Sequence, residues 1–354
     1  MARMTVRERI EAALRHEPVD QIPFTIYQGM IPHDHPTTRR LRELGLGYAC
    51  RPGLVTSETP HVTAEWVEYE EAGVRFGRST LKTPGGEVYA THRLGAAYGS
   101  SWYVDHYVKR SEDYRVVEFW VRDTVYRADY EAYQRTKEEV GDAGYVCGNF
   151  GYSPLMEMRV ALLGIERFAM DQFDYPELFH SLLAALMEKQ REAYPLIAAS
   201  PAEVVIYCGN CVPEVLGRGF ADYCLPCYDA LGEMLHARGK KLGCHLDANN
   251  AYWAKAVEAS RLDVIEAFTP APDTDMSLAE ARAAWPRKTL WINFPSSLHL
   301  ASPARIKGAA REMIASVAPA RGVIVGITEN IPEDRWEASL TAIAEALHEI
   351  GPAG

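Results

Sequence analysis

The chain has 354 residues, 47% of them hydrophobic and 24% charged, which is enough apolar material for one large α/β domain or two smaller ones. Its net charge of -11 excludes a non-specific nucleic-acid binder, which needs a basic footprint. No run approaches the ~20 apolar residues that span a bilayer, and no apolar stretch follows the N-terminal charges as in a secretory signal. The expectation is a soluble, cytoplasmic protein with no nucleic-acid or membrane partner.

In chain order, a helix is expected over 6–14, followed by a short strand over 21–27. Residues 60–126 are β-rich. Two alternating runs, 67–76 and 86–91, flank the turn signal Thr83-Pro84-Gly85-Gly86, and 116–121 is a further apolar run. This region is expected to form an antiparallel insert of hairpins. From about 144 the pattern becomes strand, helix, strand, helix. Strands fall at 145–150, 204–208, 241–246, 264–268, 289–294 and 323–327, with helices at 176–196, 223–237, 303–317 and 336–350. Apolar strand cores alternating with amphipathic helices indicate a parallel sheet covered by helices. Seven strands are legible, one short of a closed (β/α)8 barrel, with the eighth expected to be irregular or to lie within 127–180.

Function in such a barrel sits at the C-terminal ends of the strands. His245 and Asp247 are two residues apart at one strand end, so both can face the same side. Glu329 follows the last strand, 84 residues after His245. Three protein ligands plus an open position is the catalytic zinc arrangement, and His245, Asp247 and Glu329 are therefore the candidate catalytic and metal-binding residues. Cys208, or its neighbour Cys211, at another strand end is a further candidate ligand. Cys244 is turned away by strand alternation. The plainer alternatives are a structural His245, an Asp247 that caps the next helix, and a Glu329 paired with Arg335 or Lys241. Tyr27, Tyr152 and Tyr207 are candidate aromatic walls for a substrate, and Asn149, Asn210 and Asn293 candidate orienting groups; half of such an aromatic set is usually core.

The seven cysteines include two C-x-x-C pairs, 208/211 and 224/227. The second lies in what reads as a helix start, so buried inert thiols are expected and not a four-cysteine zinc site. No P-loop, dinucleotide fingerprint or corrinoid-binding Asp-x-His-x-x-Gly run is present, which disfavours a nucleotide enzyme.

Five segments, in this order, resemble the uroporphyrinogen decarboxylase superfamily and its methyltransferase branch. They are Arg15-His16-Glu17-Pro18-Val19-Asp20-Gln21-Ile22-Pro23, Gly148-Asn149-Phe150 with Leu163-Gly164-Ile165-Glu166-Arg167-Phe168, Asp174-Tyr175-Pro176-Glu177-Leu178, Gly239-Lys240-Lys241-Leu242-Gly243-Cys244-His245, and Thr328-Glu329-Asn330-Ile331-Pro332-Glu333-Asp334. The resemblance spans nearly the whole chain except the insert, and it implies a (β/α)8 barrel. It also implies an arginine-rich opening in true decarboxylases, where this chain has Thr25-Ile26-Tyr27-Gln28-Gly29. The methyltransferase branch binds zinc through His-x-Cys and a later Cys. Here Asp247 stands in place of the first cysteine, and Glu329 falls close to the second. A harder His/carboxylate set suits an oxygen substrate better than a thiol. The resemblance therefore implies a zinc-dependent enzyme that moves a methyl group from a small methoxylated donor to a corrinoid carried by a separate partner protein. A homodimer is a further implication. The alternatives are a metal-free decarboxylase or lyase and a catalytically silent small-molecule-binding barrel.

Overall fold

The computed structural model describes residues 3–97 and 100–352. Its centre is a wholly parallel sheet whose strands are β1 (Phe24–Tyr27), β2 (Leu46–Cys50), β3 (Gly144–Val146 continuing as Gly148–Tyr152), β4 (Val204–Cys208), β5 (Lys241–His245), β6 (Val264–Phe268), β7 (Thr289–Asn293) and β8 (Val323–Ile327). The two halves of β3 are interrupted at Cys147; the first pairs with β2 and the second with β4, so the eight strands close into a barrel. Each is short and buried, and helices cover the outside, as a parallel barrel requires.

The eighth strand lies outside the region expected for it. It is Leu46–Cys50, before the insert, in register with Phe24–Tyr27. Its two glycine-flanked residues, Leu46 and Tyr48, carry too little apolar pattern to signal a strand, and its stability comes from neighbours on both sides. Gly47 is needed there because a Cβ would lie 2.7 Å from the Ala143 carbonyl oxygen.

The bottom of the barrel is closed by the first helix, Val6–Leu14, which begins with a capping box between Thr5 and Glu8. Its Ile10, Ala13 and Leu14 pack against inward residues Ala49, Tyr145, Val204, Val264, Trp291 and Ile324. Arg9 fixes the helix through a near-buried ion pair with Asp20 at 2.7 Å.

The insert contains a four-stranded antiparallel sheet, Thr63–Glu71, Val74–Thr83, Gly86–Ala97 and Ser100–Asp105. The hairpin between the first two turns at Ala72-Gly73, both at positive φ, inside the run read as one strand over 67–76. The first strand is an edge and is almost wholly exposed. The run 116–121 is not a strand. It lies in a helix, Asp113–Asp123, with Tyr114, Val116, Val117 and Val121 buried on one face. Its β-branched residues favour a strand locally, but packing against the long helix Pro176–Ala199 overrides that preference. A two-stranded ladder, Val55–Glu58 with Val125–Ala128, ties the insert's ends together beside the barrel mouth. No helix among the described residues is long and apolar enough to cross a membrane.

The barrel rim tolerates no added bulk where β4 meets β5. A Cβ on Gly209 would come within 1.9 Å of the His245 carbonyl oxygen, whereas one on Gly308, in the helix Pro303–Ala315, meets nothing within 4 Å. Gly209→Ala is therefore expected to destabilise the protein by about 2 kcal/mol or more. Gly308→Ala is expected to stabilise it by up to ~1 kcal/mol. Denaturant unfolding of the two variants checks both signs.

Candidate active site

The alternation of inward and outward residues along parallel strands puts one ring of polar side chains at the C-terminal mouth. His245 ends β5 and is paired in register with Glu266 of β6. Both are buried, at 7% and 2% exposure, deep enough that an unpaired charge would be strongly disfavoured. They satisfy one another: His245 Nδ1 donates to Glu266 Oε2 at 2.6 Å. Two further groups converge on the same carboxylate. Arg51 Nη1 donates to Glu266 Oε2 at 2.9 Å, and the Tyr27 hydroxyl donates to Glu266 Oε1 in a short hydrogen bond. The Arg51 guanidinium also lies over the Tyr27 ring, 4.3 Å from its centre.

The backbone is shaped to hold this cluster. At Ala267 φ is +56° and the β6–β7 register shifts, a bulge immediately after Glu266. Asn210, at φ +51°, turns the chain after β4 so that its N–H reaches the His245 carbonyl at 3.2 Å. Burial by itself would lower the His245 pKa. The Glu266 charge, followed by the Asp247 hydrogen bond, outweighs it and pushes the value up to about 10. Burial by itself would raise the Glu266 carboxyl, but His245 and then Arg51 hold it below the usual carboxylate range.

With Nδ1 committed to Glu266, the other ring nitrogen faces the mouth. His245 Nε2 lies 3.5 Å from Asp247 Oδ2. Asp247 caps no helix, since the next helical turn begins at Ala251 behind Asn250. Glu329 is exposed beyond β8 and is not paired with Arg335, which meets Asp334 instead. Desolvation raises the Glu329 carboxyl, and Asp247 and Glu266 add to the rise while His245 opposes it, which places Glu329 within the electrostatic reach of the cluster. Beside it the Thr328 hydroxyl is buried without a hydrogen-bond partner.

Two ligands of one tetrahedral zinc, at bonds of about 2.0–2.1 Å, sit roughly 3.3 Å apart. The 3.5 Å spacing of His245 Nε2 and Asp247 fits such a pair, and Glu266 on Nδ1 is the kind of carboxylate that orients a metal-bound histidine. Among the described residues, however, no three His, Cys, Asp or Glu side chains are gathered tightly enough to hold an ion as they stand. Two of the three expected donors are together and Glu329 stands apart from them. At Cys208 burial raises the thiol pKa, and its Sγ donates to Asn149 Oδ1 at 3.1 Å. The other six cysteines are buried and unpaired by disulfides.

The substrate candidates divide. Tyr27, Asn149 and Tyr152 face the mouth or the cleft beside it. Tyr207 does not. It points outward from β4, is fully buried, and bonds to Gln190 and to the Tyr194 hydroxyl on the covering helix. Asn293 is also spent internally, donating to Thr269 Oγ1 at 3.3 Å and accepting from the Thr328 N–H at 2.9 Å, so it brackets the chain leaving β8. Asn210 serves through its backbone. Arg51 went unseen in the sequence because β2 did, since the residue counts as a mouth position only once that strand is known. Glu266 lies within the strand expected over 264–268, and its register with His245 is the signal that the sequence does not carry.

The family model for uroporphyrinogen decarboxylase (URO-D) matches residues 98–350. No curated protein matches the chain. Among solved structures, a methyltransferase from Methanosarcina mazei is similar over 98% of this chain and 99% of its own, at 13% identity and a TM-score of 0.58. A protein from Listeria monocytogenes assigned as a vitamin-B12-independent methionine synthase is similar over 60% of this chain and 66% of its own, at 14% identity and a TM-score of 0.33.

The buried pair has a measurable signature. The folded chain binds the His245 proton more tightly than the unfolded chain, where imidazole titrates near 6.5, so the stabilisation is complete below pH 6.5 and is lost as pH rises from there through about 10. Glu266→Gln is expected to destabilise the metal-free protein by about 3 kcal/mol at pH 6 and to flatten the decline between pH 6.5 and 10. Urea unfolding in the presence of a chelator, across that range, reads both effects.

Proposed function

Because the chain belongs to the uroporphyrinogen decarboxylase family, we propose that it is a methyltransferase working at the barrel mouth around His245. It moves a methyl group from a small methoxylated donor to a corrinoid carried on a separate protein. The observation that carries this reading is the division of labour on the His245 ring: Nδ1 is bonded to Glu266 at 2.6 Å, and Nε2 is left facing Asp247 at 3.5 Å. His245 and Asp247 would hold a zinc ion, and Glu329, which stands apart from them here, would have to swing in to serve as the third ligand. Zinc held there would supply Lewis acidity, which makes an ether oxygen a better leaving group.

The protein's own groups do the rest. Glu266 keeps a proton on Nδ1, so that Nε2, once zinc displaces its proton, would present a lone pair facing the mouth. Arg51 and Tyr27 hold Glu266 in place, so the imidazole cannot swing away when its charge changes. Asp247 and Glu329 are oxygen donors, which favours a donor that reacts through oxygen and not through sulfur. Decarboxylation is less well supported. A carboxylate substrate needs free cations, and Arg51 and His245, two cations of the cluster at the mouth, are already matched by Glu266 and Asp247.

Purified protein supplied with zinc is expected to retain about one equivalent. His245→Ala is expected to weaken zinc binding at least tenfold, and Glu266→Gln to weaken it roughly tenfold through the lost partner. Zinc-loaded protein should methylate a Co(I) corrinoid from a methoxylated aromatic compound, followed by the corrinoid's absorption spectrum. Wild-type protein that retains no zinc after loading, or His245→Ala that retains as much as wild type, removes the proposed ligand set.

A further inference from the structure

Beside the mouth, sharing Asn149 and Tyr152 with it, lies a cleft of about 390 Å³. It is bounded by the ladder Val55–Glu58/Val125–Ala128, the helix Asp113–Asp123 and the long helix Pro176–Ala199. Four aromatic side chains, Trp120, Tyr126, Phe150 and Tyr152, line it together with one carboxylate, Glu157. Tyr126 and Phe150 meet edge to face, 6.5 Å between centres, so the aromatic wall is packed and not loose.

Glu157 has no role in the fold that accounts for it. Among the described residues its carboxylate has no hydrogen-bond or ion-pair partner, and burial alone pushes its pKa up to about 7. Lys189 reaches the cleft, but its ammonium is taken by Glu192, at 2.9 Å. A carboxylate left in an apolar setting is costly unless something of opposite charge joins it. Glu157 also ends a helical turn, Pro154–Glu157, that runs directly into a π-helical segment, Met158–Leu163, an underwound form that recurs at functional sites.

We infer that this cleft binds a small organic ammonium ion, with the cation against Glu157 and its alkyl groups against the aromatic wall. Aromatic faces attract cations through their quadrupole, and a carboxylate adds direct charge. A neutral or anionic ligand would leave Glu157 uncompensated. The cleft joins the mouth through Asn149, which accepts from the Cys208 thiol, and through Tyr152, which feels the charges of both Asp247 and Glu157. The inference does not rest on the methyl-transfer reading, and binding can be measured without metal or turnover.

Choline and its uncharged carbon isostere 3,3-dimethylbutan-1-ol, titrated calorimetrically into the full-length protein in chelator, test it. Choline is expected to bind at least about tenfold more tightly than the isostere. Its affinity should rise about tenfold from pH 6 to pH 8, because the ionised fraction of a group titrating near 7 rises from about one eleventh to ten elevenths. Choline does not titrate in that range. The other groups facing Glu157 are Tyr103, Tyr107, Tyr126 and Tyr152, all raised by burial and so neutral throughout, and Lys189, whose ammonium is held by Glu192 at 2.9 Å. Glu157→Gln should remove both the preference and the pH dependence, with folding checked by circular dichroism. His245→Ala should leave choline binding intact even where zinc is lost, which separates this site from the one at the mouth. Equal affinity for the two compounds, pH-independent binding in wild type, or no choline binding up to about 10 mM overturns the inference.

Discussion

A carboxylate buried at the top of the barrel needs hydrogen-bond donors and opposite charge, and Glu266 finds them on or just after three other strands. Tyr27 comes from β1, Arg51 from the residue after β2, and His245 from β5, and all three reach one side chain on β6. Leaving that charge alone in a low-dielectric interior would be far more unfavourable than any single surface interaction in the molecule is favourable. The cluster therefore works as a clamp across the barrel mouth. It sets the orientation of the His245 ring, and through it the direction in which Asp247 and the mouth are addressed. The bulge at Ala267 and the turn at Asn210 are the local backbone distortions that let the clamp close.

Below that ring the barrel is an ordinary packed core. Val204, Ile206, Val264, Trp291 and Ile324 fill it, and Trp291 spends its indole N–H on Thr25 at 3.0 Å. The first helix seals the far end. A rigid, dry floor beneath a polar rim makes the rim side chains hold their geometry, which a site that depends on ring-nitrogen direction requires. The helical layer outside is equally committed: Tyr207, Tyr194, Tyr228 and Phe150 meet edge to face or tilted between strand and helix.

The barrel's second half could be read from its sequence because its strands are short apolar runs separated by amphipathic helices. The first half could not be read so well. Leu46–Cys50 contains a glycine, ends on cysteine and follows a helix closely, so nothing local marks it; only the pairing with β1 and β3 makes it a strand. Arg51 disappeared with it. The run Val116-Val117-Glu118-Phe119-Trp120-Val121 failed in the other direction, since its residue types favour a strand while its partners require a helix. At the site, residue type picked out His245 and Asp247. It could not say that Tyr207 faces outward, that Asn293 is occupied by Thr269 and Thr328, or that Glu266 shares a register with His245. Those are facts of strand alternation and pairing, which a chain expresses only once it is folded.

The four-stranded sheet of the insert has one more consequence. Its outer strand, Thr63–Glu71, exposes Trp66 and Val67 together with a row of unpaired backbone groups, and such an edge is a template on which another chain can add itself. The same nine residues carry Glu65, Glu68, Glu70 and Glu71. Two copies approaching edge to edge would bring like charges face to face on molecules that each already carry a net charge of -11. Glu65 and Glu68 are matched within the sheet by Lys82 and Arg75, so it is the acidity of Glu70 and Glu71 at the strand's end that opposes such pairing.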